Sequence, residues 1–285
     1  MIERISILGT GLLGTSVGLA LRAAGYRGSI VGWNRGAEGA RLALEAGAID
    51  SVATDPLQMA RESQVVLLAV PIYATLDYME KLSGVLGCAH MVTDVGSTKA
   101  QITAAAGRLF NTPERAAFLP GHPMAGKERG GAALGDANLF RGAVWLFTEV
   151  PTWQRSPHSA ELIKGWREWV VAMGSKCIDI DPTRHDELVA WVSHLPQFVA
   201  TAMSAMLEEK VGDAPELKDV GGRALSEMTR LGASPYSMWR DIALTNTEAV
   251  QAVLLALEQR LAYLRENLRT PELRDEFDQA NKFRR

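Results

Sequence analysis

The chain has 285 residues, of which 47% are hydrophobic and 22% charged, and a formal net charge of −3. That length suits one large core or two ordinary domains, and the balanced charge excludes a general basic field for nucleic acid. Cys88 and Cys177 lie far apart without metal-ligand spacing, and no apolar run reaches the length of a signal core or membrane span. The expectation is a cytoplasmic protein with no metal, leader or anchor and no membrane partner.

Strands are predicted at 4–9 (RISILG), 28–33, 64–70, 90–95 and 116–120, with further runs at 143–150 and 176–181. Helix-length segments, such as 12–25 and 36–47, separate the early ones. Alternation at this pitch predicts parallel pairing through right-handed crossovers. Residues 1–181 therefore read as a Rossmann-like, doubly wound α/β domain. After Asp181 no convincing strand run occurs, and 187–210 and 241–268 carry helical periodicity. Val250, Val253, Leu254, Leu257 and Leu261 recur at helical spacing with charges opposite. Residues 182–285 are expected to form an all-α domain whose apolar face seeks a partner, giving a homodimer through this domain. The polar tail 269–285 is expected to be loosely ordered.

The first strand runs into GTGLLG, where Gly9, Gly11 and Gly14 make the pattern G-x-G-x-x-G. A strand before it and an apolar helix after it are the context this pattern requires. Gly9 permits the tight turn, Gly11 lets backbone approach a pyrophosphate, and Gly14 allows close helix–strand packing. The helix N-terminus adds unpaired N–H groups and a favourable dipole. An acid normally closes the second strand and holds the ribose 2′-hydroxyl, but Asn34 and Arg35 stand there. Asn34 can bond a ribose without repelling a 2′-phosphate. Arg35 pairs with that phosphate, stacks on adenine or points to solvent. The pair tilts the expected cofactor from NAD toward NADP.

Two loops follow later strands at their carboxyl ends, where open α/β sheets bind ligands. One is TDVGSTK (93–99); the other is the glycine- and proline-rich FLPGHPMAGKERGG (118–131). Ser97 either caps the next helix or serves the chemistry. His122, between Gly121 and Pro123, reads as a general base.

The pieces GTGLLGTSVGLAL, LLAVP, DVGSTK, GHPMAGKERGG, HDELVAWVSHLP and TRLGASPYSMWRDI follow in order from residue 8 to about 245. With them the chain resembles the prephenate/arogenate dehydrogenases of tyrosine biosynthesis. The fingerprint is generic; the G-H-P-x-A-G loop together with S-H-L-P and T-R…W-R-D-I is specific. The resemblance implies oxidation at C4 of a cyclohexadiene ring, hydride transfer to NAD(P)+ and loss of the C1 carboxylate as CO2. Prephenate would give 4-hydroxyphenylpyruvate, and arogenate would give tyrosine directly. The resemblance makes His122 the base at the C4 hydroxyl and Ser97 the group that aligns imidazole, hydroxyl or nicotinamide. It places Arg230 on the substrate carboxylate, and Leu12, Leu13, Val70 and Pro71 on the cofactor. His194 falls near the substrate ring or side chain, or is a satisfied polar group of the helix bundle. Glu128 gates or tunes the entrance, or is an exposed loop acid.

Relatives carry a lysine at the position of Ser226 that reaches in from the neighbouring subunit. Arg223, two turns before Arg230 on the same face of a continuous helix, is the candidate replacement, or a solvated arginine. His185 beside Asp186 reads as a cap or linker and Trp239 as core; His90 and His158 have no motif around them. The β-hydroxyacid dehydrogenases are disfavoured because no K-x-x-x-N occurs. A non-catalytic NAD(P)-sensing regulator would have no need of His122, Ser97 and Arg230 together. No chorismate mutase or ACT-type regulatory segment is expected, so tyrosine, where it inhibits, would act at the active site.

Overall fold

The computed structural model describes residues 2–284; Met1 and Arg285, the outer ends of the two expected domains, lie outside the described residues. The chain opens β1(Arg4–Leu8), α1(Leu12–Ala23), β2(Ser29–Trp33), α2(Ala37–Glu45), β3(Ser51–Val52), α3(Pro56–Arg61), β4(Val65–Leu68), α4(Ile72–Ser83), β5(Met91–Asp94), α5(Ala100–Leu109) and β6(Ala117–Leu119). These strands form a six-stranded parallel sheet in the order β3-β2-β1-β4-β5-β6. The order reverses between β1 and β4, which places a ligand crevice at their carboxyl ends.

Helices cover both faces of the sheet, so its central strands are near-continuous apolar runs. Alternate side chains enter opposite cores. Ile5, Ile7, Val65 and Leu67 pack on one side with Trp145 and Trp166. Leu8, Val66, Leu68 and Val92 pack on the other with Phe118 and Ile102.

A second sheet combines β7(Gly121–Pro123), β8(Val144–Phe147) and β9(Lys176–Asp179), with α6(Pro157–Ala172) before β9. β7 is antiparallel to β8, and β8 is parallel to β9. The stretch expected as an irregular turn around His122 is therefore partly strand. Pro123 is tolerated because β7 is an edge strand. Gly121 is required there: a Cβ would come within 2.8 Å of Trp145 Nε1 and 2.9 Å of Asp94 O.

From Pro182 onward the regular elements among the described residues are helical. They are α7(Pro182–Val189), α8(Leu195–Val211), α9(Leu217–Val220), α10(Gly222–Thr229), α11(Tyr236–Thr245), α12(Thr247–Glu266) and α13(Glu272–Arg284). The long helix expected at 187–210 is divided by a π-helical turn over Ala190–His194. Pro196 has no N–H to close the preceding turn, and Leu195 N–H reaches back to Ala190 O. The tail is more ordered than its composition suggested. α13 is helical, and Arg260 on α12 bonds Glu276 on α13 at 2.5 Å.

The helical part docks on the carboxyl edge of the large sheet through polar contacts. Thr98 and Thr245 share a 2.7 Å hydroxyl hydrogen bond, and Asp186 accepts from the backbone at the start of α5. Ile242 of α11 joins the second apolar core.

Candidate active site

The glycine turn after β1 is built for a ligand. Gly9 has φ +99°, and a Cβ on it would meet Ala69 O at 2.3 Å; one on Gly14 would meet Gly9 O at 2.0 Å. Neither position tolerates a side chain. Above Gly11, by contrast, nothing lies within 4 Å of a would-be Cβ, and no side chain caps the first turn of α1. Open space over uncapped N–H groups at a helix start fits a dinucleotide pyrophosphate. Gly11, Leu12, Leu13, Val70 and Pro71 line the adjoining cleft, while Gly9 and Gly14 lie beneath it. Asn34 and Arg35 stand beyond β2, outside the cleft lining. The Asn34 amide donates to Gly36 O at 3.0 Å, and Arg35 is exposed.

The cleft encloses about 630 Å³ between the sheet edge and the helical part. Ser97, His122, Glu128, Gln197, Arg230 and Trp239 all contribute to its wall. Ser97 does not cap a helix: α5 starts at Ala100 with Lys99 in the cap position. The capping alternative for Ser97 is thus removed, and the residue stands in the cleft.

His122 is 8% exposed and is linked inward. Its Nδ1 lies 2.9 Å from His185 Nε2, and His185 Nδ1 lies 2.7 Å from Asp186 Oδ1. Asp186 also accepts from Lys99 N at 2.7 Å and Ala100 N at 2.9 Å, so its carboxylate is well satisfied as an anion. This chain of contacts fixes the protons. A carboxylate only accepts, so His185 donates from Nδ1 and its Nε2 must accept. His122 then donates from Nδ1, leaving the Nε2 lone pair without a partner among the described residues. Burial, followed by the neighbouring His185, Lys99 and His194, holds the His122 pKa well below the ordinary imidazole value. The side chain is neutral near pH 7 and able to take a proton at Nε2.

The sequence missed His185 in this role. Its neighbour Asp186 and its place at the start of a helix suggested only a cap, because the partner that defines it is 63 residues away. An adjacent His-Asp pair next to a nucleotide-binding domain was the one available signal.

Arg230, in a 3₁₀ turn after α10, lines the cleft and pairs across it with Glu128. Both expected residues are thus brought together at the entrance. Arg223 is not. Its side chain is 91% exposed and bonds Glu227 at 2.7 Å. Arg223 stands in the first turn of α10, which runs from Gly222 to Thr229, and it is turned to solvent toward Glu227 one turn on, whereas Arg230 opens the 3₁₀ turn at the cleft.

His194 is 1% exposed and lies outside the cleft lining, edge-on to Trp239 at 5.9 Å. Its Nδ1 accepts from the Asn246 amide at 3.3 Å, and the same amide donates to Asp186 O. Burial pushes His194 down to about 4, although Asp186 opposes the shift. The residue on this wall is Gln197 instead, whose amide donates to Thr201 and to Leu231 O. Asp241 also lines the cleft. Arg240 holds its Oδ1, and its Oδ2 has no partner.

Known proteins are similar to this chain in sequence and fold. The description of the prephenate dehydrogenase nucleotide-binding domain matches residues 17–168, and that of the prephenate dehydrogenase dimerization domain matches residues 181–282. The prephenate dehydrogenase of Lactococcus lactis is 31% identical over 247 residues, covering 86% of this chain. The chain spans 66% of that relative's length. The crystal structure of A. aeolicus prephenate dehydrogenase with hydroxyphenyl propionate and NAD+ superposes with a TM-score of 0.87 at 28% identity, covering 100% of this chain and 98% of the other. Synechocystis arogenate dehydrogenase gives 0.76 at 29% identity, covering 99% and 98%. With a dinucleotide turn, a cleft histidine and both domain descriptions in sequence order, the chain belongs to the prephenate dehydrogenase family.

Proposed function

We propose that the protein is a nicotinamide-dependent dehydrogenase that oxidises prephenate at C4 and releases CO2, giving 4-hydroxyphenylpyruvate for tyrosine biosynthesis. The observation that carries this reading is the Asp186–His185–His122 chain, which ends in an open Nε2 beside the dinucleotide turn. The cofactor, when bound, supplies the hydride acceptor. His122 Nε2 takes the proton of the C4 hydroxyl as the carbonyl forms there, and loss of the C1 carboxylate makes the ring aromatic. The resulting imidazolium is stabilised through His185 by the Asp186 carboxylate. Ser97, on the same cleft wall, aligns the reacting hydroxyl. Arg230 exchanges Glu128 for a substrate carboxylate, which suits its planar fork.

The cofactor preference is NADP. Asn34 carries no charge to repel a 2′-phosphate, and Arg35 has no ion-pair partner among the described residues. The working form is a cytoplasmic homodimer joined through the helical part. The family's dimerization-domain description and the exposed Leu255, Leu261 and Phe277 support the association, and the free cysteines suit a reducing setting.

Arogenate is the second reading. It is favoured by Asp241, whose unpartnered Oδ2 suits an ammonium in place of a keto group. A steady-state assay crossing prephenate and arogenate with NAD and NADP decides among these. Prephenate with NADP should give the highest kcat/KM; reduction of neither cofactor with either substrate refutes the proposal.

A further inference from the structure

Asp94 and Lys99 are both fully buried, ion-paired with each other, and unused in the steps above. A buried ammonium or carboxylate is costly unless paired and hydrogen-bonded, so the pair is held there by its surroundings. Asp94 ends β5, and its two oxygens accept from three donors in two segments. Oδ1 accepts from Gly121 N at 3.0 Å, fixing the backbone immediately before His122. Oδ2 accepts from Gly96 N at 2.8 Å and from the Lys99 ammonium. Lys99 in turn holds a second carboxylate through its own backbone, donating to Asp186 Oδ1 at 2.7 Å. The two residues together thus tie both ends of the catalytic chain: Asp94 holds the strand that carries His122, and Lys99 holds the acid that anchors His185.

We propose that Asp94 and Lys99 are a positioning pair for the His122 base, holding its strand and its terminal carboxylate in one buried bracket. The proposal rests on His122 being the base. The charged and titratable groups around His122 define what the pair does electrically. His185 faces it from α7, His194 from the π-helical turn, and Lys99 from the start of α5. Asp186 lies behind His185, and Asp94 behind Gly121. The Lys99 ammonium opposes protonation of His122, and Asp94 balances that charge.

The test is the pH profile of kcat/KM for Lys99→Gln and for Asp94→Asn/Lys99→Gln, with cofactor affinity read from tryptophan fluorescence quenching. Glutamine keeps a donor for Asp94 but removes the positive charge. His122 then protonates more readily, and the acid limb should move up by about half to one pH unit, with kcat down roughly tenfold. Adding Asp94→Asn removes the uncompensated negative charge, so the limb should move back while kcat stays below wild type. Cofactor affinity should change by less than about threefold in both, since the dinucleotide turn is untouched.

An unmoved limb and wild-type kcat in folded Lys99→Gln overturn the proposal. Should Lys99→Gln not fold, the double variant, which leaves no unpaired buried charge, carries the test: reduced kcat supports the proposal and wild-type kcat overturns it. His122→Asn is the control. Retained turnover in that variant removes the base assignment itself, whereas its loss beside fully active bracket variants removes only the positioning pair.

Discussion

Replacing His185 with phenylalanine tests the hydrogen-bond chain in isolation. Phenylalanine is an aromatic ring slightly larger than the fully buried imidazole, and it neither accepts from His122 nor donates to Asp186. The active tautomer of His122 needs its Nδ1–H satisfied at His185, 2.9 Å away. Without that acceptor, a buried N–H is left unpaired, at a cost of about 1–3 kcal/mol. The alternative tautomer, protonated at Nε2 toward the cleft, avoids this cost but is no longer a base. At about 1.4 kcal/mol per factor of ten, the competent form is depleted roughly 5- to 150-fold. Loss of the Asp186 charge as a partner for the imidazolium adds to the deficit. The assay is kcat and KM with saturating cofactor, alongside cofactor binding by fluorescence. The expected result is a kcat lowered by about one to two orders of magnitude with KM and cofactor affinity near wild type. A folded His185→Phe enzyme with wild-type kcat across the pH range refutes the proton chain.

Arg230→Ala should raise KM for substrate far more than it lowers kcat, because a carboxylate grip acts on ground and transition states alike; the reverse pattern in steady-state kinetics contradicts that role. Glu128→Gln frees Arg230 from its charged partner and should lower that KM severalfold, measured in the same assay. Arg35→Ala should raise the Michaelis constant for NADP and leave that for NAD unchanged; equal effects on both remove its proposed phosphate contact. Folding stability should fall as pH drops from about 6.5 toward 4, because His194 is buried neutral with its pKa pushed down to about 4 and the unfolded chain binds the extra proton first. That window lowers stability by roughly 3 kcal/mol from His194 alone, read as a shift in urea midpoint that His194→Asn should reduce.

Local sequence carried five strands of the large sheet because each is a short apolar run closed by a turn, and Gly9, Gly11 and Gly14 sit where one such run meets a helix; the edge strand β3, two exposed residues, has no such pattern. β7 was not legible as a strand. Three residues with a glycine and a proline have no pattern of their own, and their pairing with β8 is decided by packing against Trp145 and Asp94. His122, Ser97, Glu128 and Arg230, which line the cleft, could be singled out in the sequence because each belongs to a compact motif. His185, Asp186, Asp94 and Lys99 act through partners distant in sequence or through fully buried contacts, so beyond the adjacent His185–Asp186 pair local spacing does not mark them. His194 was placed through the resemblance alone; it ends the π-helical turn and packs on Trp239 and Asn246, whereas Gln197, one turn on in α8, lines the cleft.

The most direct test of the central claim is the rate of prephenate-dependent cofactor reduction by His122→Asn beside wild type, with dinucleotide binding measured on both. Cofactor affinity should be preserved, because the Gly9–Gly14 turn is untouched. Turnover should fall by at least about two orders of magnitude. Near-normal turnover in the variant would contradict the assignment of His122 as the base.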